Sequence, residues 1–536
     1  MRRRTWVAGV IAFGVALLLS RTDAPVRTLW PPLAALLVIG ATRHALAGLL
    51  AGAFAGALML AGGDPWRAWL ALPADHLAPG LRSGWKVGAI TFTLVLGGFA
   101  AVLERSGGFA ALLRRWVRPG PGSRRRLETA ATGLGALCFF DGLANSMVVG
   151  RVCRDLGDRC GVPRVKLAYI VDSTSSAVAC VAVVSTWIAF QLAMIAEAFA
   201  MAGRPANPYA VFLKSLPYNF HCWFTLVLLV VAVRSRFHPG PMGRYERTAS
   251  VAPAANRGAD AAAGVMPLPL GAAMRATLLP VGVLLAAFLS GFIALGAPRP
   301  VLPLTRDKIV AAFGSDAGPL VLVLAGLLAT LAAAAWYPRT APGGRSAVPG
   351  AFLGGCRSMV GAIWILLAAW MLGSVIEALG TARLLTVLLS AGGALALVPL
   401  LTFITGAAVS FATGTSWGTM GILFPLAVPA AAAAGAGDPL LHATVAAVFS
   451  GAVFGDHCSP FSDTTVVTAV SCGVETHDHV VTQLPYAVIA AAVACLAGFL
   501  PAGLGFPAWA SLALGAGFLA VLPRLWPAAV TRIGDA

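Results

Sequence analysis

Charge is what this chain has least of. Only 11% of its 536 residues are Asp, Glu, Lys or Arg, against about 25% in an ordinary soluble domain. That shortage excludes a soluble enzyme, a disordered tail and a coiled coil. Lysine is scarcest of the charged residues: four (Lys86, Lys166, Lys214 and Lys308) among 38 basic side chains. The nine cysteines contain no CxxC pair, so neither a disulfide framework nor a zinc site is indicated. After the opening MRRRTWVAGVIAFGVALLLS no small-x-small cleavage site follows, so this stretch reads as a first transmembrane helix rather than a signal peptide. A net charge of +17 without any recognition motif does not indicate nucleic acid. The basic residues sit between apolar runs, where topology and anionic headgroups account for them.

What the chain has is apolar length. Hydrophobic residues make up 58%, and the mean hydropathy is +0.83. Runs of about 20 apolar residues recur, the signature of an all-α polytopic membrane protein, and they lack the short alternation of barrel strands. About twelve transmembrane helices are expected, near 5–20, 29–42, 45–62, 85–104, 167–198, 211–234, 275–296, 317–337, 355–378, 443–470, 485–502 and 506–523. Two further stretches, about 127–150 and 385–432, are broken by Gly, Pro and polar residues and read as re-entrant hairpins. The expected units are 1–84 (N-terminal scaffold helices), 85–236 (first transport repeat), 237–272 (cytoplasmic linker), 273–354 (scaffold helices), 355–505 (second transport repeat) and 506–536 (C-terminal helix and tail).

Arginine placement orients the chain. Arg2 to Arg4 put the N-terminus inside, and the loops around Arg105–Arg126, Arg151–Lys166 and Arg234–Arg257 fall inside if 127–150 enters and leaves by one face. Arg524 and Arg532 put the C-terminus inside as well.

The two halves resemble each other. LERSGGFAALL (103–113) and FFDGLANSMVVG (139–150) have counterparts in IEALGTARLL (376–385) and FATGTSWGTMG (411–421); Glu104 matches Glu377 and Gly107 matches Gly380. DSTSS (172–176) resembles DHCSP (456–460), which pairs Asp172 with Asp456 and leaves Asp141 opposite a residue near Thr413. The helix ending at Glu104 runs inward and the one ending at Glu377 outward, which makes the repeat inverted. Inverted repeats with broken helices characterise secondary transporters.

Ionised residues at membrane depth cost about 2.5–3.5 kcal/mol on insertion scales, so they are functional candidates by default. Asp141 and Asn145 lie one turn apart in a Gly-containing segment; Asp172 is followed by hydroxyls including Ser175. Thr413, Thr415 and Ser416 alternate with glycines, and Asp456, Ser459 and Asp463 surround Pro460. Carboxylates, hydroxyls and unwound carbonyls form an all-oxygen set suited to a hard cation. Singly, the Ser and Thr hydroxyls could equally only tie helices together. Glu104 and Glu377, at helix ends, read as solvated interfacial groups; His457 reads as a packed hydrogen-bonder, and His477-Asp478-His479 as a short inside loop. Gly414-Thr415-Ser416-Trp417-Gly418 fits GxSxG but interrupts a membrane helix instead of following a strand. Gly435-Ala436-Gly437-Asp438 resembles an aspartyl-protease motif, but Pro439 marks Asp438 as a helix cap.

The run GDHCSPFSDTTVVTAVSCGVETHDHVVTQLPYA (455–487) closely resembles the NhaC-type sodium/proton antiporter family of the ion transporter superfamily. So do FATGTSWGTMGILFP (411–425), FFDGLANSMVVGRVCRDLGDRCGVPRVKLAYIVDSTSS (139–176) and STWIAFQ (185–191). The resemblance implies an inverted-repeat membrane protein, usually a homodimer, with two re-entrant hairpins and an elevator-like displacement. Gly142 stands where many relatives would carry a second acidic residue. The implied activity is sodium/proton antiport across a bacterial cytoplasmic membrane, with no cofactor beyond the transported ions. Sodium would sit among the oxygen set above, and Asp172 and Asp456 would couple it to protons. The low dielectric opposes a bare buried carboxylate, so proton and sodium compete to neutralise it. The alternative is a sodium- or proton-coupled organic-anion exchanger for malate, lactate or an amino acid. No Arg or Lys lies inside the four polar segments to receive such an anion.

Overall fold

A computed structural model of the chain describes residues 2–22, 24–117, 122–251, 268–337, 343–390 and 394–530. Arg118, Arg257 and Arg532, used above for orientation, lie outside the described residues. Helices account for nearly all the described chain. Those before the first hairpin are α1 (Arg2–Leu19), α2 (Trp30–Thr42), α3 (Ala45–Leu60), α4 (Pro65–Ala71), α5 (Gly84–Arg105) and α6 (Gly108–Trp116). The first half continues with α7 (Ser123–Leu137), α8 (Gly142–Cys160), α9 (Arg164–Val181), α10 (Thr186–Met201), α11 (Pro208–Ser215), α12 (Phe220–Ser235) and α13 (Met242–Val251). Then come α14 (Leu270–Gly296), α15 (Arg306–Phe313), α16 (Gly318–Ala335), α17 (Val348–Ser358), α18 (Val360–Leu379) and α19 (Thr381–Ser390). The chain closes with α20 (Val398–Thr413), α21 (Ser416–Ala433), α22 (Asp438–Cys458), α23 (Asp463–Cys472), α24 (Thr476–Val493), α25 (Leu500–Gly503) and α26 (Ala508–Leu525).

Among the described residues nine helical segments are long and apolar enough to cross a membrane, or up to twelve if each bent pair counts as one span. This is a multi-pass membrane protein. Two expected spans are broken with a sharp bend. The run 167–198 divides into α9 and α10, bent by 42°, and 211–234 into α11 and α12, bent by 49°. A sharp return after α3, bent by 118° into residues 65–82, was not expected from the sequence. Residues 477–479, expected as loop, lie in the first turn of α24. Asp438 is the first residue of α22, not its cap, and faces Arg204 at 3.4 Å.

The two broken stretches form helical hairpins, α7–α8 and α20–α21. Their tips are built by capping. Asp141 accepts the Ala144 N–H at 2.7 Å and starts α8; Thr415 accepts the Gly418 N–H at 3.1 Å and starts α21. Where no water reaches, such side chains satisfy the free amides of the helix start. Gly414 closes α20 at φ +69°, and a Cβ there would stand 2.5 Å from the Phe461 carbonyl carbon. Both the left-handed turn and the close approach demand glycine. Gly455 does the same for packing: a Cβ would meet the Ser410 carbonyl carbon at 2.1 Å, so α22 lies backbone to backbone against α20, as small residues allow in membranes.

The same order of elements occurs twice: a hairpin, then a helix broken by four residues, at 182–185 and 459–462. Gly107 and Gly380, expected to correspond, both have positive φ. The pairing of carboxylates differs from the sequence reading. By cap position Asp141 corresponds to Thr415, two residues beyond Thr413. Asp172 lies nine residues before the end of α9, whereas Asp456 lies two before the end of α22. Counted from the breaks, they are not equivalent; the counterpart of Asp463 is Thr186.

Candidate functional site

Each hairpin tip docks on the break of its own half. At the first, Thr186 donates its N–H to the Phe140 carbonyl at 3.0 Å and its hydroxyl to Asp141 Oδ2 at 3.1 Å. Ser185 bridges this break, accepting from the Ile188 N–H at 3.1 Å and donating to the Ala179 carbonyl at 2.7 Å. At the second, Ser459 donates to the Phe411 carbonyl at 2.7 Å, and the Ser410 hydroxyl accepts the Gly455 N–H at 3.0 Å. At the first break a backbone N–H released by the unwound turn is thereby met by the hairpin tip, as a low-dielectric interior requires.

The breaks also cross-connect. Asp456 receives Ser176 from the first half at 2.6 Å, Ser462 at 3.0 Å and Ser416 at 3.5 Å. Thr465 donates to the Asp456 carbonyl at 2.8 Å and lies 3.3 Å from Asp172 Oδ2, so one hydroxyl joins the two carboxylate residues.

A crevice of about 450 Å³ opens between the tips and is lined by Asp141, Thr186, Thr415, Ser416, Asp456, Asp463 and Thr464, with Arg43 and His44 on one wall. Asp463 begins α23 and accepts its neighbour's N–H at 2.9 Å, while its side chain stays open to the crevice. A second crevice of about 270 Å³ also reaches Asp141 and continues past Glu104 and Arg105. Three carboxylates and several hydroxyls facing one space form a hard-oxygen, electronegative site. Its chemistry fits a small cation.

Not every expected ligand faces this space. Thr413 bonds back to the Val409 carbonyl at 2.7 Å, Ser459 is spent on Phe411, and Ser175 donates to the Asp172 carbonyl at 3.0 Å. Asn145 donates to the carbonyls of Gly135 and Thr174 at 3.0 and 3.1 Å. Its buried Oδ1 has no hydrogen-bond partner among the described residues. Asp172 has no exposed surface. Its Oδ2 accepts from Gln483 at 2.8 Å and lies 3.1 Å from His479 Nε2 and 3.3 Å from the Thr465 hydroxyl, whose one proton it shares with the Asp456 carbonyl. An oxygen so supplied with N–H and O–H groups is a site for negative charge or a proton, set behind the crevice.

Sequence reasoning missed His479 and Gln483, which lie on one face of α24 four residues apart. That spacing was the available signal. It also missed Arg43. This residue comes from the turn between α2 and α3, donates to the Ala412 carbonyl, and places its guanidinium 3.8 Å from the Phe461 ring centroid. An arginine absent from the four polar segments thus stands at the crevice they form.

The profile of the Na+/H+ antiporter family matches residues 178–503. This chain belongs to the Na+/H+ antiporter family. The match spans α10, both arms of the second hairpin and the broken helix that carries Asp456 and Asp463. The chain is 30% identical over 496 residues, 92% of its own length, to an uncharacterized protein of Haemophilus influenzae, of which it covers 93%. Over 108 residues, 19% of this chain and 22% of the relative, it is 39% identical to the malate-2H+/Na+-lactate antiporter of Bacillus subtilis. Its fold is similar to that of the YdaH transporter of Alcanivorax borkumensis, with a TM-score of 0.59 at 19% identity over 83% of this chain and 90% of that one. As a member of the antiporter family the chain is a secondary transporter of the bilayer, and the crevice is its candidate substrate site.

Proposed function

We propose that this transporter exchanges sodium for protons across the cytoplasmic membrane of a bacterium. The observation that carries the reading is the convergence of Asp141, Asp456 and Asp463 with Thr415, Ser416 and Thr464 on one crevice. Sodium would be held there, and the proton on Asp172 and Asp456. A cation bound to the carboxylates lowers the net charge of the moving site. The charged empty site resists crossing, and obligatory exchange follows. The gradients then set direction, each charge being worth about 2.3 kcal/mol per 100 mV. The proposed architecture is an inverted repeat whose transport half moves against the scaffold, in a homodimer. No cofactor enters the scheme.

The deciding experiment is transport in everted vesicles. A sodium-induced pH change supports the reading, and its absence from fully active membranes rejects it. A second reading has one observation of its own. Arg43 at the crevice offers the cationic partner that an organic carboxylate needs. Uptake of labelled malate without a sodium-induced pH change would favour it.

Orientation follows the arginines. The N-terminus, the loops 105–126 and 151–166, the linker and the C-terminus are expected on the cytoplasmic side. A cysteine introduced at Ser250 should react with impermeant maleimide only from inside, and one at Leu70 only from outside. External labelling at 250 overturns this topology.

A further inference from the structure

One basic side chain reaches the crevice, and it comes from the N-terminal helices, outside both hairpins and both breaks. α2 and α3 have 13 and 16 residues, about 20 and 24 Å of helix. Each falls short of a hydrocarbon core of about 30 Å. The turn that joins them meets the tip of the second hairpin. Arg43 in this turn donates to the Ala412 carbonyl, and a Cβ on Gly418 of α21 would stand 3.1 Å from the Ala45 Cβ. Thr42 secures the turn from within, donating to the Val38 carbonyl at 2.7 Å and accepting the His44 N–H at 3.1 Å.

Arg43 closes α2 with φ +61°. Left-handed backbone at a helix end ordinarily falls to glycine. Of the described residues with positive φ, Arg43 and Arg236 are the two that are not glycine. A side chain kept there against the backbone preference points to a use for that side chain. The guanidinium is anchored twice. One N–H meets the Ala412 carbonyl, and the central carbon lies 3.8 Å from the Phe461 ring centroid, a cation–π contact. Ala412 belongs to the second hairpin and Phe461 to the break at 459–462, so both anchors are on elements that build the site. Among the described residues lining the crevice Arg43 is the one lysine or arginine, and it shares that space with Asp141, Asp456 and Asp463.

We propose that Arg43 is an electrostatic latch, a positioning residue that holds the hairpin and break while the site is empty and frees them when a cation binds. The proposal rests on the sodium/proton reading and adds to it the residue that makes exchange obligatory. Bare carboxylates attract a guanidinium across the crevice. Sodium cancels part of their charge and stands as a like charge to Arg43, so the attraction falls as the site loads. The contact between the α2–α3 turn and the second hairpin is then weak in the loaded state and strong in the empty one. The same field acts in reverse: Arg43 and sodium compete for the carboxylates.

The test is Arg43→Gly. Glycine suits the left-handed turn, so the turn survives while the charge goes. In the purified protein the sodium concentration for half-maximal thermal stabilisation should fall about tenfold, a modest share of what a unit charge in contact would exert. In proteoliposomes sodium should run down its gradient with fewer protons moved in exchange, because the empty site is no longer held. Arg43→Lys returns a charge and should bring both readings back toward wild type. Tighter sodium binding is a result that a damaged fold does not give. An unchanged midpoint with unchanged coupling overturns the latch. So does weaker sodium binding together with lost exchange, which would make Arg43 merely structural. A wild-type protein that sodium neither stabilises nor drives to move protons would instead reject the reading beneath it.

Discussion

Asp456→Asn is expected to abolish sodium-dependent proton movement while the protein still folds in the membrane. Asp456 is where the transport elements meet. Its oxygens take hydroxyls from α9, α21 and the break at 459–462, and its side chain borders the crevice. Asparagine has nearly the same shape and keeps one carbonyl oxygen. Ser176, Ser416 and Ser462 can each turn a hydroxyl to accept as well as donate, so the hydrogen bonds survive rotation. The charge does not. A unit charge about 4 Å away at an effective dielectric near 20 is worth about 4 kcal/mol to a cation. After partial compensation by the other two carboxylates, we expect the sodium concentration for half-maximal exchange to rise at least about a hundredfold, or some 2.7 kcal/mol. Glu104→Gln makes the control. Glu104 borders only the second crevice near Asp141, and its variant should be mild by comparison. Normal transport by Asp456→Asn together with loss in Glu104→Gln would show that the site had been assigned to the wrong carboxylates.

The parts of this molecule legible in its sequence are those where the bilayer leaves no choice. A span needs its apolar length, so helices such as α3 and α5 were readable within a few residues. A buried aspartate is costly, so Asp141, Asp172 and Asp456 stood out among their neighbours. Hairpin tips were readable because glycine next to a capping oxygen has few other uses inside an apolar run. The break at 182–185 was hidden. VACVAVVSTW has no proline or glycine to announce it, and it is mended by the Ser185 hydroxyl and by the distant Tyr209 hydroxyl, which donates to the Val183 carbonyl. Likeness between DSTSS and DHCSP suggested equivalent aspartates, but short motifs do not record distance to a helix break. Arg43, His479 and Gln483 act through partners hundreds of residues away, and only the packed chain brings them there.

Asp172→Asn should separate the two ions. Asp456 faces the crevice, whereas Asp172 lies behind it with no exposed surface. Its Oδ2 is supplied by Gln483, His479 and Thr465. An asparagine can present its carbonyl oxygen to the same three groups, which preserves the packing of α9 against α23 and α24. An amide cannot take up and release a proton in this range, so coupling ends. Exchange should fall at least about a hundredfold, as when a positioned proton carrier is removed. Sodium binding in the crevice should persist. At a hundred times its dissociation constant, sodium stabilises the folded state by about 2.7 kcal/mol, and the variant should retain that gain in thermal unfolding. Asp456→Asn should lose it. A variant that binds sodium, stays folded and moves no protons would assign the proton to Asp172. If Asp172→Asn instead loses sodium stabilisation as fully as Asp456→Asn, the two carboxylates serve one site. If it transports normally, the proton travels on another group.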